Sequence, residues 1–329
     1  MTEQTMHKKA AERPRVGTIC LSLLLFFCFA LLLRRADVAT AGMQKGLSLC
    51  ARAIVPSLFP FLVLAELLVA SGVGEWLTAP IARPLGKLLG LSSAGCCAVV
   101  LGLLCGFPIG ARCAILAYEN KNMTRTECER VLACSSIPSM AFLISTVGTT
   151  LWRDATFGVT LYICAAFAAL LSGFCIYVVQ KRTKTDEKTN IRTPLIKLHF
   201  DRSMFPTAVR NATVSTLFIC AYVVFFSTLT ETVGLVLARF GASENVRAIL
   251  ASILELSGGV SAAAGLASCP LAILLTGATV GWSGISVHCQ MLSLTDGHNL
   301  SLRPYFAAKG MQAGLGACLL WVLGKTFCV

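Results

Sequence analysis

The sequence predicts an all-α, polytopic membrane protein, and two observations lead there. Hydrophobic residues make up 56% of the 329, only 13% are charged, and the mean hydropathy is +0.74. A soluble chain carries charge on about a quarter of its residues, so lipid must solvate much of this surface. Apolar runs also recur at 16–33, 47–70, 131–151, 157–179, 209–229, 248–266 and 305–323. A helix needs about 20 apolar residues to cross a hydrocarbon core of about 30 Å, and these runs have that length.

At the start of the chain, His7, Lys8, Lys9, Arg13 and Arg15 precede the first run, and Ala39-Thr40-Ala41 resembles a signal-peptidase site. The run exceeds the about 7–15 residues of a signal-peptide core. Arg34 and Arg35 also stand between it and the motif. An uncleaved first transmembrane helix is expected.

Lys and Arg number 28 against 16 Asp and Glu, a formal charge of +12. The basic residues lie in polar stretches between the apolar runs, as in positive-inside anchoring to an anionic bilayer. A nucleic-acid partner would require a basic stripe on a folded domain, and none is expected. The 16 cysteines form no C-x-x-C and no zinc spacing with histidine. Within apolar runs free Cys is a small packing residue, so neither metal nor cofactor is predicted.

A strongly basic stretch divides the chain. The predicted organisation is a cytoplasmic segment and first transmembrane helix over 1–45, a first repeat over 46–180, a basic cytoplasmic loop over 181–206 and a second repeat over 207–329. Leu58-Phe59-Pro60-Phe61 in the first half is matched by Leu217-Phe218-Ile219-Cys220 in the second, and 72–91 by 230–246. Cys105-Gly106-Phe107-Pro108-Ile109-Gly110 is matched by Ser257-Gly258-Gly259-Val260, and Cys134-Ser135-Ser136-Ile137-Pro138-Ser139 by Gly281-Trp282-Ser283-Gly284-Ile285-Ser286. Paired apolar segments broken by Gly or Pro point to a transporter binding site. With 1–15 and 180–210 both cytoplasmic, 93–118 must enter and return as a hairpin, and the repeats are inverted. Arg34, Arg35, Lys45 and Arg52 resist this topology by falling on the non-cytoplasmic side.

These motifs carry a resemblance. Leu58–Phe61 with Glu66, and Cys105–Arg112, look like the nucleoside-recognition (Gate) domain. Glu127–Arg130 with Ser135–Pro138, and Gly284–Gln290, are similar to the sporulation integral membrane proteins of the YlbJ type, over about 46–309. The resemblance implies a fold related to concentrative nucleoside transporters and a role in spore formation, with a dipicolinate-like dianion as solute. Phe107 and Arg112 stand where the family usually has Tyr and Lys, and Cys134 and Ile137 where Asn often flanks the serines. Substrate identity is therefore open.

Several residues are candidates for the chemistry. Glu66 and Glu255 lie deepest in apolar segments, where a charge costs about 2.5–3.5 kcal/mol on insertion scales. Proton coupling or a counter-charge to Arg112 is the functional reading, and a packed, neutral carboxyl the plainer one. Gly106, Phe107, Pro108 and Gly110 should break a helix that restarts at Ile109, with Arg112 in its first turn. That start would present N–H groups and partial positive charge to a carboxylate; a kink with a snorkelling Arg is the alternative. Ser283, Ser286, Gln290 and Ser293 fall on one face of a single helix, and Ser135, Ser139, Thr146 and Thr149 on another. Ser136 and Gly284 complete the candidate substrate set. Such stripes either line a path or bond neighbouring helices. Trp282 could stack on an aromatic solute or anchor at an interface, and His288 is off the stripe.

No nucleophile–base spacing, H-E-x-x-H, G-x-S-x-G or P-loop occurs, so the chain is not expected to be an enzyme. The predicted function is a secondary transporter or facilitator of a small organic anion or nucleoside-like solute, with hairpins at 106–110 and 281–284. Self-association as a homo-oligomer is left open. The competing reading is a non-transporting membrane scaffold in spore or envelope assembly, which predicts dry, packed stripes.

Overall fold

In lipid only helices and closed barrels satisfy every backbone group, and among the described residues every regular element is a helix. The computed structural model describes residues 16–183 and 198–324. The segment 1–15 and most of the expected basic loop lie outside the described residues.

Helix α1 (Val16–Arg34) ends at Arg35, whose φ of −124° and ψ of 50° leave the helical region, and α2 (Ala36–Leu49) follows. A π-helical turn, Cys50–Ile54, joins α2 to α3 (Val55–Ala70). Pro56 explains that wider turn, because its ring displaces the carbonyl four residues back and removes one helical N–H. After Ser71-Gly72 the chain bends by 81° into α4 (Val73–Leu89). This helix exposes Trp76, Leu77, Ile81 and Leu88 while burying Gly74, Thr78 and Gly86, the character of an interfacial helix.

Helices α5 (Ser93–Cys105) and α6 (Phe107–Glu119) form a hairpin about Gly106. Its φ of +99° is open only to glycine, and a Cβ on Gly110 would fall 2.7 Å from the Cα of Gly102. Helix α7 (Arg125–Cys134) then unwinds over Ser135–Ser139 and resumes as a π-helical segment, Phe142–Trp152, before α8 (Ala155–Arg182). Beyond the basic stretch comes α9 (Met204–Arg239). A second hairpin, α10 (Glu244–Leu254) and α11 (Leu256–Ala264), turns at the extended residue Glu255. Helices α12 (Cys269–Trp282) and α13 (Gly284–Thr295) are one crossing interrupted at Ser283, with φ +73°. Helix α14 (Arg303–Gly324) closes the bundle.

Four helical stretches among the described residues are long and apolar enough to cross a membrane, or five with the bent α3–α4 pair. Several expectations are corrected. The run 131–151 is not one helix, because Pro138 and the serines before it unwind its middle. The run 248–266 folds back on itself and does not cross. The second hairpin turns at Glu255, whereas 281–284 interrupts a crossing helix. The stretches 72–91 and 230–246 do not correspond, since the first is α4 and the second is the end of α9 with the start of α10.

Contacts sort the helix ends. The His199 N–H donates to the Ser71 carbonyl (3.2 Å), Arg130 bonds Gln180 and the Gly90 carbonyl (2.9 Å each), and His298 meets Glu119 (2.7 Å). These residues mark the end nearest the basic stretch, here the loop end. At the far end Lys45 pairs with Glu231, and Trp152 packs on Ala248, Leu266 and Ala272. The α5–α6 hairpin therefore opens to the loop end and the α10–α11 hairpin to the far end.

Small residues allow the closest crossings. A Cβ on Gly42 would lie 2.8 Å from the Cα of Thr228 on α9, and one on Gly277 2.5 Å from the Gly316 carbonyl oxygen on α14. Van der Waals packing is a main source of helix association in lipid, so Gly277→Leu should destabilise by about 1–3 kcal/mol through overpacking. Gly310, with nothing within 4 Å of its Cβ position, should accept Leu without change. Thermal unfolding of both variants in detergent checks the difference, and equal midpoints would contradict the crossing.

Candidate functional site: a path between the hairpin tips

Each hairpin tip abuts the interrupted crossing that follows it. The Phe107 N–H, at the first tip, donates to the Ile137 carbonyl at 2.7 Å. At the second tip, Gly284 lies so close that a Cβ there would be 2.9 Å from the Cα of Glu255. The Glu255 carboxylate, 2% exposed, accepts from the Ser257 N–H (2.9 Å) and the Gly258 N–H (2.6 Å), capping its own helix α11.

Three cavities lie in series around these tips. The middle one, about 100 Å³, touches both tips and both interruptions through Phe107, Ser139, Glu255, Ser257, Ser286 and Gln290. The far-end cavity, about 460 Å³, is lined by Lys45, Glu231, Glu244, Arg247 and Glu255. The loop-end cavity, about 270 Å³, is lined by Arg112, Tyr222, Gln290, Ser293 and His298. Glu255 is common to the far and middle cavities, and Phe107, Pro108, Ile219 and Gln290 to the middle and loop-end ones.

The predicted residues divide accordingly. Gly106, Phe107, Pro108, Ser139, Glu255, Ser286 and Gln290 line the middle cavity. Helix α6 restarts at Phe107 and not Ile109, which puts Arg112 in the second turn. The N–H groups at that start are occupied, Phe107 by Ile137 and both Ile109 and Gly110 by the Gly106 carbonyl (3.2 Å each). The expected carboxylate site at the α6 terminus is therefore not formed. Arg112 Nε instead donates to Glu66 at 3.0 Å, and Asn211 donates to the other carboxylate oxygen at 3.3 Å. The counter-charge reading of Glu66 describes this pair.

The stripes are also revised. Ser283 belongs to the break and not to the helix of Ser286 and Gln290, which bond each other at 3.3 Å. Ser135 is buried between Gly102 and Gly110, with its hydroxyl lacking a partner. The Ser136 hydroxyl turns back to the Leu132 carbonyl. Thr149 is exposed and bonds Ile144, because the π-helical winding moves it off the face that α-helical spacing assigns. Trp282 does not line the middle cavity. Its ring meets His288 edge-on at 4.3 Å, and its N–H bonds the Ile253 carbonyl at 3.2 Å. His288 bonds the Tyr305 hydroxyl at 2.8 Å.

Sequence reasoning missed Lys309. Fully buried on α14, its ammonium donates to the Ser136 carbonyl, the Gly281 carbonyl (3.3 Å) and the Ser283 hydroxyl (2.9 Å). It thus touches both interrupted crossings. The available signal was a lone charge inside the last apolar run, which marks a functional site by default.

The Glu66–Arg112 pair generates a prediction. Glu66 is buried and the Arg112 side chain is 30% exposed, between the surface and interior cases. Glu66→Gln and Arg112→Gln should each cost about 1–3 kcal/mol, because each strands its partner. The double variant should cost less than the sum when unfolding is measured in detergent. Additive losses would show that the two side chains do not interact energetically.

No family model matches this chain, and no solved structure matches it. Over 343 aligned positions it is 22% identical to the sporulation integral membrane protein YlbJ of Bacillus subtilis (strain 168), an alignment covering 93% of this chain and 83% of that protein. The chain is a multi-pass integral membrane protein, similar along nearly its whole length to the sporulation integral membrane protein of the YlbJ type.

Proposed function

We propose that this protein is a secondary transporter or facilitator, acting in spore formation, for a small organic anion of the dipicolinate kind or a nucleoside-like solute. The observation that carries this reading is the series of three cavities passing between the two hairpin tips, with Glu255 and Gln290 as the shared residues. A scaffold that only recruits partners gains nothing from such a series. The order long helix, hairpin, interrupted crossing, long helix occurs on both sides of the basic stretch, and the hairpins open to opposite ends. That supports two inverted repeats of the Gate type, related to concentrative nucleoside transporters. The sporulation role rests on the likeness to the Bacillus subtilis protein.

The chemistry favours an acidic group on the solute. Helices α6, α11 and α13 all begin at the middle cavity, and helix N-termini carry about half a positive charge each. The α6 start is bonded to Ile137, and the α11 start is capped by Glu255. The α13 start has no side-chain cap, so a carboxylate is received there, beside Ser286 and Gln290. Arg112, paired with Glu66 through its Nε, offers its other guanidinium N–H groups to the loop-end cavity. Glu255 couples a proton to the movement: on protonation its carboxyl loses one acceptor, which loosens the α11 cap and with it the second tip.

Reconstitution in liposomes with labelled dipicolinate, other dicarboxylates and nucleosides tests this. Saturable uptake of at least one solute is expected. Arg112→Gln should reduce uptake of an anionic solute about tenfold or more, the scale of one lost charge-assisted hydrogen bond. Arg112→Lys should keep part of it, and Glu255→Gln should remove the response to an imposed pH gradient. Inserted, folded protein that moves no member of the panel would sink the transport reading.

A further inference from the structure

Half-helices α7 and α12 approach the middle of the protein from opposite ends, α7 from the loop end and α12 from the far end, and both stop there. A helix C-terminus leaves carbonyls without intrahelical partners and carries about −0.5 of a charge. Two such termini at one place present about one negative charge, in a region where no water can be assumed to satisfy them. Unwound carbonyls and half-helix C-termini of this kind hold a coupling cation in other membrane folds.

Lys309 stands at that point. Its three N–H donors have three oxygen acceptors: the Ser136 carbonyl beyond α7, the Gly281 carbonyl in the last turn of α12, and the Ser283 hydroxyl at the α12–α13 break. All three are neutral oxygens, so the ammonium balances backbone dipoles in place of a carboxylate. The nearby titratable groups are His288 and Tyr305, which bond each other at 2.8 Å. With 0% exposure the ammonium does not snorkel to an interface.

We propose that Lys309 is a tethered cation, its ammonium filling a monovalent-cation site built from the Ser136 carbonyl just past the end of α7, the Gly281 carbonyl in the last turn of α12 and the Ser283 hydroxyl. Removing the side chain leaves a vacancy of the right charge and donor set for a free alkali or small alkylammonium ion. A consequence, resting on the transport reading, is that the wild-type cycle requires no alkali cation at this position.

The test is thermal unfolding of purified protein in detergent, with sodium, potassium or methylammonium chloride titrated against choline chloride at equal ionic strength. In choline, Lys309→Ala should unfold several degrees below wild type. Its midpoint should rise saturably with at least one of the smaller cations, while that of wild type stays flat. Where the Ala variant does not survive purification, Lys309→Gln, which keeps N–H donors without charge, is titrated in the same way with the same expectation. A variant whose cation response equals that of wild type overturns the proposal. So does a Gln variant as stable as wild type in choline, since hydrogen bonding alone would then suffice. The readout is independent of transport, so failure of uptake in liposomes leaves this result standing.

Discussion

Helix interruptions within hydrocarbon are tolerated only where protein supplies the missing backbone partners, and the described residues hold four such breaks in or between the apolar helices, at Gly106, 135–139, Glu255 and Ser283. Each is answered locally. Ile137 accepts from Phe107, Ser139 accepts from the Phe142 N–H (3.2 Å), Glu255 caps α11, and Lys309 collects the carbonyls left by α7 and α12. Phe107 bonds across to Ile137, Gly284 packs on Glu255, and Lys309 reaches from α14 to both interrupted crossings, so the four do not lie apart. Their gathering places the cavities.

The same constraint bears on motion. The tips are held by short, local contacts, whereas the hairpin arms and long helices are packed through glycine crossings that leave no room for a side chain. A hairpin can therefore shift as a body by exchanging a few bonds at its tip. Under the proposed transport function, such a shift would alternate access by moving one bundle against another around a fixed site. Lys309, bonded to both interrupted crossings, ties together the elements that such a movement must keep in register.

Charge placement follows the cost of desolvation. Of the basic residues that count against the expected topology, two toward the far end are paired: Arg35 with Asp37 at 3.0 Å, and Lys45 with Glu231. Pairing reduces the penalty of holding them on the non-cytoplasmic side, where the expected topology puts them. Deeper in, Glu66 and Arg112 are paired with each other, and Glu255 takes backbone N–H groups as its partners.

The sequence by itself determined the solvent, the helical class and the first hairpin. Apolar run length is a local property, and Gly106 with Pro108 interrupts a helix whatever surrounds it. It also singled out some of the residues that line the middle cavity, because Gly, Pro and hydroxyl-bearing side chains within apolar runs are visible without a structure. What the tertiary structure alone decided was which interruption turns the chain and which lets it continue. Glu255 turns because its carboxylate can cap α11 and Gly259 allows α10 to close against it, whereas Ser283 continues toward the loop end. The stripe through Thr149 failed because spacing arguments assume an α-helical period that the π-helical segment does not keep. Lys309 stands out as a lone charge in an apolar run, but its partners were hidden for a related reason: they are main-chain oxygens of Ser136 and Gly281, 173 and 28 residues away. No local pattern records a carbonyl that only a distant helix break sets free.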